Sequence, residues 1–210
     1  MAGKTAGRGP IAGRAAPPGG CGTGALFVWA GVIVVVLVLI GVAINRLPHD
    51  EPVADTHGGA PQGTVHVDEP HHDHVKGAVQ YDRTPPIGGD HSDAWLNCGI
   101  YDQAVPNEQA VHSMEHGAVW ITYLPSLRAD DVATLRALVS SKYQGRQRYV
   151  VLSPFAAQSA PVMAQAWGEQ LAVDSASDPR IAAFIENFRQ GKQTLEPGAP
   201  CSGGSGSPVA

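Results

Sequence analysis

The sequence predicts an α+β domain that follows a single membrane-spanning helix. An uninterrupted apolar stretch occupies residues 26–44 and suits a span of the bilayer. Residues 79–196 then combine segments with the two-residue period of strands and segments with the 3.6-residue period of amphipathic helices. Their order is β-α-β-β-α, preceded by a long loop and a short helix. This order is typical of two helices packed against one sheet.

The N-terminal part of the chain predicts a membrane anchor. Residues 1–25 are rich in Gly, Ala and Pro and are expected to be a disordered cytoplasmic tail. A helix over residues 26–44 would be about 28 Å long, close to the ~30 Å hydrocarbon layer. A cleaved signal is the alternative, but its apolar region is usually shorter. Lys4, Arg8 and Arg14 precede the stretch without any acidic residue, so the C-terminal domain is expected to be extracytoplasmic.

Residues 45–78 predict a flexible, histidine-rich stalk. The segment contains four prolines and shows neither a helical nor a strand period. It also contains six of the nine histidines of the chain. Residues 66–74, HVDEPHHDH, have the composition of a flexible metal-collecting tract, although a hydrophilic linker has a similar composition.

The elements of residues 79–196 follow from turn residues and apolar periods. Asn107 and Gly117 are good end signals for a short helix over residues 108–116. The other predicted elements are strands at 117–123, 149–153 and 163–173, the last bent at Gly168, and helices at 130–143 and 181–188. Residues 197–210 are rich in Gly, Ser and Pro and are expected to be disordered.

Candidate functional side chains concentrate in residues 87–117. This window contains residue types that bind metals or transfer protons, namely His91, Cys98, His112, Met114, Glu115 and His116. His112 and His116 are four residues apart and should share one helix face. Together with Glu115 they form the order H-x-x-E-H of inverted zinc peptidases, in which the glutamate polarises a water molecule. Glu169, Glu186 or His91 is a candidate third ligand.

Two other interpretations of the window remain open. His91 and Cys98 could join His112 and His116 in a mixed nitrogen and sulfur set, which suits copper or zinc. Alternatively, the window is a polar network that fastens the long loop to the sheet. Met114 lies about 200° around the helix from both histidines and is expected in the core.

Cys98 has three possible states. It could be a metal ligand, a free thiol, or the partner of Cys201 in a disulfide, because thiols outside the membrane tend to oxidise. A ligand and a disulfide exclude one another. Two cysteines without a spacing motif do not decide between these states.

Several motifs also carry a resemblance to a known family. The runs YDRTPPIGGDHSDAWLNCGIY, VPNEQAVHSMEHGAVWITYLP, YVVLSPF and AQAWG resemble the bacterial family catalogued as domain of unknown function 3105, common in actinomycetes as single-pass membrane proteins. The resemblance implies a membrane-anchored extracytoplasmic domain. It implies no established activity.

Taken together, these observations favour a metal-binding protein over an enzyme. The net charge of −5 and the scattered cations exclude a nucleic-acid-binding surface. We expect copper or zinc to bind through His112 and His116, completed by His91 and Cys98, with Glu115 as a supporting group or proton acceptor. The alternatives are an interaction or accessory module of a membrane complex and, third, a metal-dependent hydrolase with Glu115 as its catalytic residue.

Overall fold

The computed structural model describes residues 59–143 and 148–210. The predicted cytoplasmic tail, the predicted membrane helix and the first part of the predicted stalk lie outside these residues and stay predictions. Within the described ranges, no helix is both long enough and apolar enough to cross a membrane.

A mixed six-stranded sheet forms the centre of the described part of the chain. Its strands are β1 (Val65–His66), β2 (Gly99–Ile100), β3 (Val119–Tyr123), β4 (Val150–Pro154), β5 (Val162–Ala166) and β6 (Glu169–Val173). Their spatial order is β1-β6-β5-β3-β4-β2. The neighbours β2, β4 and β3 run parallel, whereas β3, β5, β6 and β1 form antiparallel pairs. The predicted α+β class is confirmed at this level.

Among residues 59–143 and 148–210, three helices cover the two faces of the sheet, and the alternation of strand side chains assigns each helix to a face. The helices are α1 (Asn107–Glu115), α2 (Ala129–Ser141) and α3 (Pro179–Phe188). In β3, Val119 and Ile121 point into a core that also contains Leu135 of α2 and Phe184 of α3. Trp120, between them, points to the opposite face. There it joins a second core, which includes Val111 and Met114 of α1.

The predicted strand at residues 163–173 is instead a hairpin of β5 and β6. The register pairs Ala166 with Glu169, so Trp167 and Gly168 form a two-residue turn. Gly168 has φ = +69°, a conformation that favours glycine, and its amide donates to the carbonyl of Ile87 at 2.7 Å. Both strands are almost entirely buried, including the polar residues Glu169 and Gln170 that follow the turn, so burial does not distinguish the turn from a bend within one strand.

The helix α1 is displaced by one residue from its predicted position. The helix starts one residue earlier than predicted, because Asn107 is its first residue and Pro106 occupies the capping position. His116 is already the C-terminal cap, and Gly117 follows with φ = +92°, as expected of a glycine that ends a helix. The last helical turn therefore contains His112 and Glu115 but not His116.

The C-terminal segment is ordered, contrary to the expectation of a disordered tail. The amide of Ser205 donates to the carbonyl of Trp95 at 2.8 Å, and that of Val209 donates to the carbonyl of Ile100 at 2.7 Å. The segment thus extends the hydrogen bonding at the β2 edge of the sheet. Composition could not reveal this order, because the stabilising hydrogen bonds go to backbone distant in sequence.

Residues 59–78 also belong to the folded unit and not to a free stalk. Ala60 is only 1% exposed and lies in the first core. Val65 and His66 form β1 against β6, and His74 makes a parallel bridge with His91. The second half of the predicted stalk is therefore part of the domain.

Candidate metal centre

Four side chains from three parts of the chain meet beside the end of α1. They are His74, His91, His112 and Glu115, and one potential ligand atom from each lies within 4.8 Å of the others. We call this group the histidine centre. His112 and Glu115 are three residues apart on one face of α1. His91 comes from the long loop, and His74 comes from the segment that precedes it.

Backbone hydrogen bonds hold the two non-helical histidines side by side. The amide of Val75 donates to the carbonyl of His91 at 2.7 Å, and the amide of His91 donates to the carbonyl of Asp73 at 3.0 Å. The amide of Asp73 also donates to a carboxylate oxygen of Asp90 at 3.0 Å. His74 is consequently fastened to the loop that carries His91 and does not approach the centre on a free chain.

Hydrogen bonds to carbonyl oxygens orient two of the three imidazole rings. His91 Nδ1 donates to the carbonyl of Gly89 at 2.8 Å, and His112 Nδ1 donates to the carbonyl of Ser92 at 2.7 Å. A carbonyl oxygen can only accept, so Nδ1 carries the hydrogen in both rings. The opposite nitrogen, Nε2, is left to face the centre. This is the usual arrangement of histidines that bind a metal through Nε2.

The Glu115 carboxylate lies where the three imidazoles converge. Its Oε2 atom is 3.0 Å from His91 Nε2, 3.8 Å from His74 Nε2 and 4.0 Å from His112 Nε2. A tetrahedral ion with bonds of about 2.0–2.2 Å separates its ligand atoms by roughly 3.3–3.5 Å. Movements of less than about 1 Å would bring these three distances to that value.

Two ionisable groups in the centre titrate as a hydrogen-bonded pair. Burial alone would lower the pKa of His91, but its hydrogen bonds to Glu115 and to the Gly89 carbonyl raise it above the ordinary value of 6.5. Burial likewise acts to raise the pKa of Glu115, yet the neighbouring imidazoles, His91 first, lower it. Nδ1 of His91 donates to the Gly89 carbonyl, so its Nε2 and Glu115 Oε2 share one proton, which the raised pKa of His91 and the lowered pKa of Glu115 place on the imidazole. A proton therefore occupies the place between Nε2 and Oε2 where a metal ion would bind.

His112 differs from His91 because it has no direct acid partner at Nε2. Burial lowers its pKa to about 4, and electrostatic repulsion between its charged form and the imidazoles of His116, His91 and His74 acts in the same direction. Its ring is neutral at physiological pH. A neutral imidazole with Nε2 facing the centre is ready to donate a lone pair to a metal.

Aromatic side chains line the buried side of the centre. The edge of Trp167 meets the His91 ring at a centroid distance of 5.9 Å, and Trp95 meets the His112 ring at 5.9 Å. His91 is 0% exposed, whereas the His74 side chain is 48% exposed. The centre is thus walled by apolar groups on the His91 side and open beside His74.

His116, predicted as a ligand, is outside the histidine centre. Its Nδ1 donates to the carbonyl of Pro200 at 2.7 Å, and its Nε2 lies 3.4 Å from Glu196 Oε2. The prediction assumed a helix through residue 116, whereas His116 caps the helix and turns towards the C-terminal segment. His116 does lie beside His112 as the spacing predicts, with the two ring centroids 4.5 Å apart, but its nitrogen atoms face Pro200 and Glu196 and not the centre.

Cys98 is also outside the centre, because it forms a disulfide with Cys201. A disulfide sulfur is not the thiolate that binds zinc or copper, so the predicted role of Cys98 as a ligand is wrong in this structure. The disulfide was the competing interpretation. It joins two residues that are 103 positions apart in the sequence and fastens the C-terminal segment to the loop before β2.

The remaining candidates have structural positions. Met114 is fully buried in the second core, so the expectation of a core methionine is confirmed. Glu169 pairs with His66 at 2.8 Å, and Glu186 pairs with Lys142, so neither is the third ligand that a zinc peptidase would need here.

Sequence reasoning missed His74 as a member of the centre. Its segment was assigned to the stalk because it has no helical or strand period. The signal that could have found it was present, since residues 71–74 read HHDH and were recognised as a metal-collecting composition. What the sequence could not supply was the backbone bridge to His91 that fixes the position of His74.

Comparison with known proteins identifies a family without an assigned activity. A family model described as a protein of unknown function (DUF3105) matches residues 72–203. This range is more than half of the 210-residue chain and includes all four residues of the histidine centre. No curated protein and no solved structure matches the chain.

Proposed function

We propose that this chain, which belongs to the DUF3105 family of proteins of unknown function, binds a transition-metal ion at the histidine centre. The observation that carries the proposal is the convergence of three imidazoles and one carboxylate, His74, His91, His112 and Glu115, within 4.8 Å. Two of the imidazoles are already oriented by carbonyl hydrogen bonds. A purely structural network has no need of a third, half-exposed histidine at the same point.

The donor set favours zinc or divalent copper. Three nitrogen ligands and one oxygen ligand suit borderline ions such as Zn²⁺ and Cu²⁺. Monovalent copper prefers soft sulfur donors, and both cysteines of the described residues are joined in the disulfide. Metal binding therefore does not depend on Cys98, in contrast to the expectation from sequence.

The position of Glu115 supports binding better than hydrolysis. In an H-x-x-E-H peptidase, both histidines bind zinc and the glutamate remains beside the metal to polarise water. Here Glu115 Oε2 lies 3.0 Å from His91 Nε2, so the carboxylate is placed as a ligand. His116, the second histidine of the motif, contacts Pro200 and Glu196 instead.

We also propose that the domain works outside the cytoplasm on a bacterial membrane. The apolar residues 26–44 would supply the anchor, and the cations before them would hold the N-terminus inside. The Cys98–Cys201 disulfide supports this location, because such bonds persist in oxidising compartments.

The test is a Zn²⁺ titration of the full-length chain, purified without a chelator or a polyhistidine tag. The informative variant combines His91→Asn and His112→Asn. Asparagine places an amide N–H close to the position of Nδ1, so it can still donate to the carbonyls of Gly89 and Ser92 while Nε2 is lost. Losing groups that merely support a ligand already costs about 10- to 100-fold in metal affinity, so this variant should lose more than about 100-fold.

The matched control combines His66→Asn and His71→Asn, two histidines outside the centre. It removes the same number of imidazoles, but takes them from the segment of metal-collecting composition, residues 66–74. We expect its Zn²⁺ affinity to stay within about threefold of the parent value, since neither ring belongs to the centre. A larger loss of affinity in the control than in the His91→Asn, His112→Asn variant would mean that zinc binds to the histidine-rich segment, which contradicts the proposal.

A further inference from the structure

We infer that His72 is the capture ligand of the histidine centre, the group that takes a metal ion from solvent and passes it inward. This inference rests on the proposed function. It assigns a role to a histidine outside the four-residue centre.

The centre has one accessible side, and His72 lies on it. The side chains of His91, His112 and Glu115 are 0%, 4% and 5% exposed. Those of His72 and His74 are 57% and 48% exposed. An ion that arrives from solvent therefore meets the segment of residues 72–74 before it meets the buried ligands.

The two oxygens of Glu115 face two different groups of histidines. Oε2 faces the three Nε2 atoms of the centre, as described above. Oε1 lies 3.8 Å from Nδ1 of His72. One carboxylate thus spans from the exposed histidine to the buried ones, and no other described carboxylate lies within 4 Å of any of these four imidazoles.

This arrangement allows an ion to move inward by exchanging ligands on a single carboxylate. The hydrated ion first binds His72 Nδ1 and Glu115 Oε1, and it loses water molecules to solvent. Its bond to His72 then breaks as bonds form to Oε2 and to the three Nε2 atoms. The proton on His91 Nε2 passes to solvent water at this step. The metal keeps its oxidation state throughout.

A capture ligand has a kinetic signature that a permanent ligand does not have. Because the metal ion is bound to His72 only while it moves between solvent and the centre, His72 lowers the barrier for entry and for release by the same amount. Its removal should slow both rates equally and leave the equilibrium dissociation constant unchanged. A permanent ligand would instead change that constant.

The test measures loading and release of Co²⁺ by the full-length chain, using the visible absorption of the bound ion. His72→Ala is compared with His71→Ala. His71 is the adjacent exposed histidine and lines a separate cavity of about 160 Å³ with Tyr81 and Arg83. We expect both rates to fall about tenfold in His72→Ala, equal to about 1.4 kcal/mol in barrier height, with an unchanged dissociation constant. Both rates should keep their parent values in His71→Ala.

Three outcomes would overturn the inference, and they differ from one another. Unchanged rates in His72→Ala would show that ions enter by another route. A weaker equilibrium affinity in His72→Ala would make His72 a permanent ligand. A parent protein that takes up no Co²⁺ or Zn²⁺ would refute the proposed function itself, and the capture role with it.

Discussion

The two faces of the sheet contrast in what they bury. The face covered by α2 and α3 contains an apolar core, with Leu135, Phe184 and Ile185 all 0% exposed. The face covered by α1 and the long loop also buries apolar groups, but beside them it buries His91, His112 and Glu115. Ionisable groups are costly to bury unless they are paired or bind a metal. The first face therefore stabilises the fold, and the second face buries a polar centre beside its apolar residues.

Removal of the Cys98–Cys201 disulfide has the largest expected effect. It should reduce the stability of the fold strongly and leave the Zn²⁺ affinity almost unchanged. Replacing both cysteines by alanine should reduce the free energy of unfolding by up to about 4.7 kcal/mol, the chain-entropy estimate for a loop of about 100 residues. Zn²⁺ affinity should remain within about threefold, because neither cysteine belongs to the centre. Chemical denaturation and a Zn²⁺ titration measure the two quantities.

A large loss of Zn²⁺ affinity with an otherwise stable fold would restore Cys98 as a ligand. Treatment of the parent chain with a reductant is the companion experiment. It breaks the same bond without removing the sulfur atoms, so the two experiments together separate tethering from coordination.

Phe184→Ala tests the apolar face alone. The side chain is fully buried between α3 and the sheet, so its truncation should destabilise the fold by about 3–5 kcal/mol. The folded fraction should bind Zn²⁺ with the parent affinity, since the cavity lies on the face opposite the centre. A fall in affinity measured under conditions where the variant is fully folded would show that the two faces are coupled.

The pH dependence of Zn²⁺ binding tests the polar face alone. His91 has a pKa raised above 6.5, whereas the pKa of His112 is lowered to about 4. Between these values His91 carries a proton that the metal must displace, and His112 carries none. Affinity should fall as the pH is lowered through the His91 pKa, by about tenfold per pH unit, or about 1.4 kcal/mol.

Titrations in two buffers of different ionisation enthalpy count the protons released. We expect about one proton per Zn²⁺ near pH 6 from the His91 site. His91→Asn removes that proton together with the ligand, so the dependence of its weaker binding on pH should flatten in the same range. Release of two protons would mean that a second imidazole of the centre is also charged in the metal-free protein.

Local patterns predicted the centre of the fold better than its edges. The strands β3 and β4 and all three helices were predicted from period and turn residues, to within a few residues at each end. The two-residue strands β1 and β2 and the C-terminal segment were missed, because their order depends on hydrogen bonds to distant backbone. The β5–β6 hairpin was predicted as one strand bent at Gly168, so the position of the bend was found but not the reversal, which depends on the pairing of β5 with β6.

The site, like the fold, was predicted only where local sequence patterns determine it. His112 and Glu115 follow from helical spacing, and His91 from its position in a loop enforced by glycine and proline. His116 lies beside His112 as its spacing predicts, but its nitrogen atoms are engaged by Pro200 and Glu196, contacts with the C-terminal segment that no local pattern specifies. His74 and the state of Cys98 depend on tertiary contacts, the bridge to His91 and the disulfide to Cys201, that no local pattern specifies.

The most direct test of the central claim is X-ray absorption at the zinc edge of the full-length chain loaded with one equivalent of Zn²⁺. The histidine centre predicts nitrogen and oxygen neighbours at about 2.0–2.2 Å, with the multiple-scattering pattern of imidazole rings. The double variant His91→Asn, His112→Asn should lose that pattern. A sulfur neighbour at about 2.3 Å, or an identical spectrum from the double variant, would contradict the claim that His74, His91, His112 and Glu115 bind the metal.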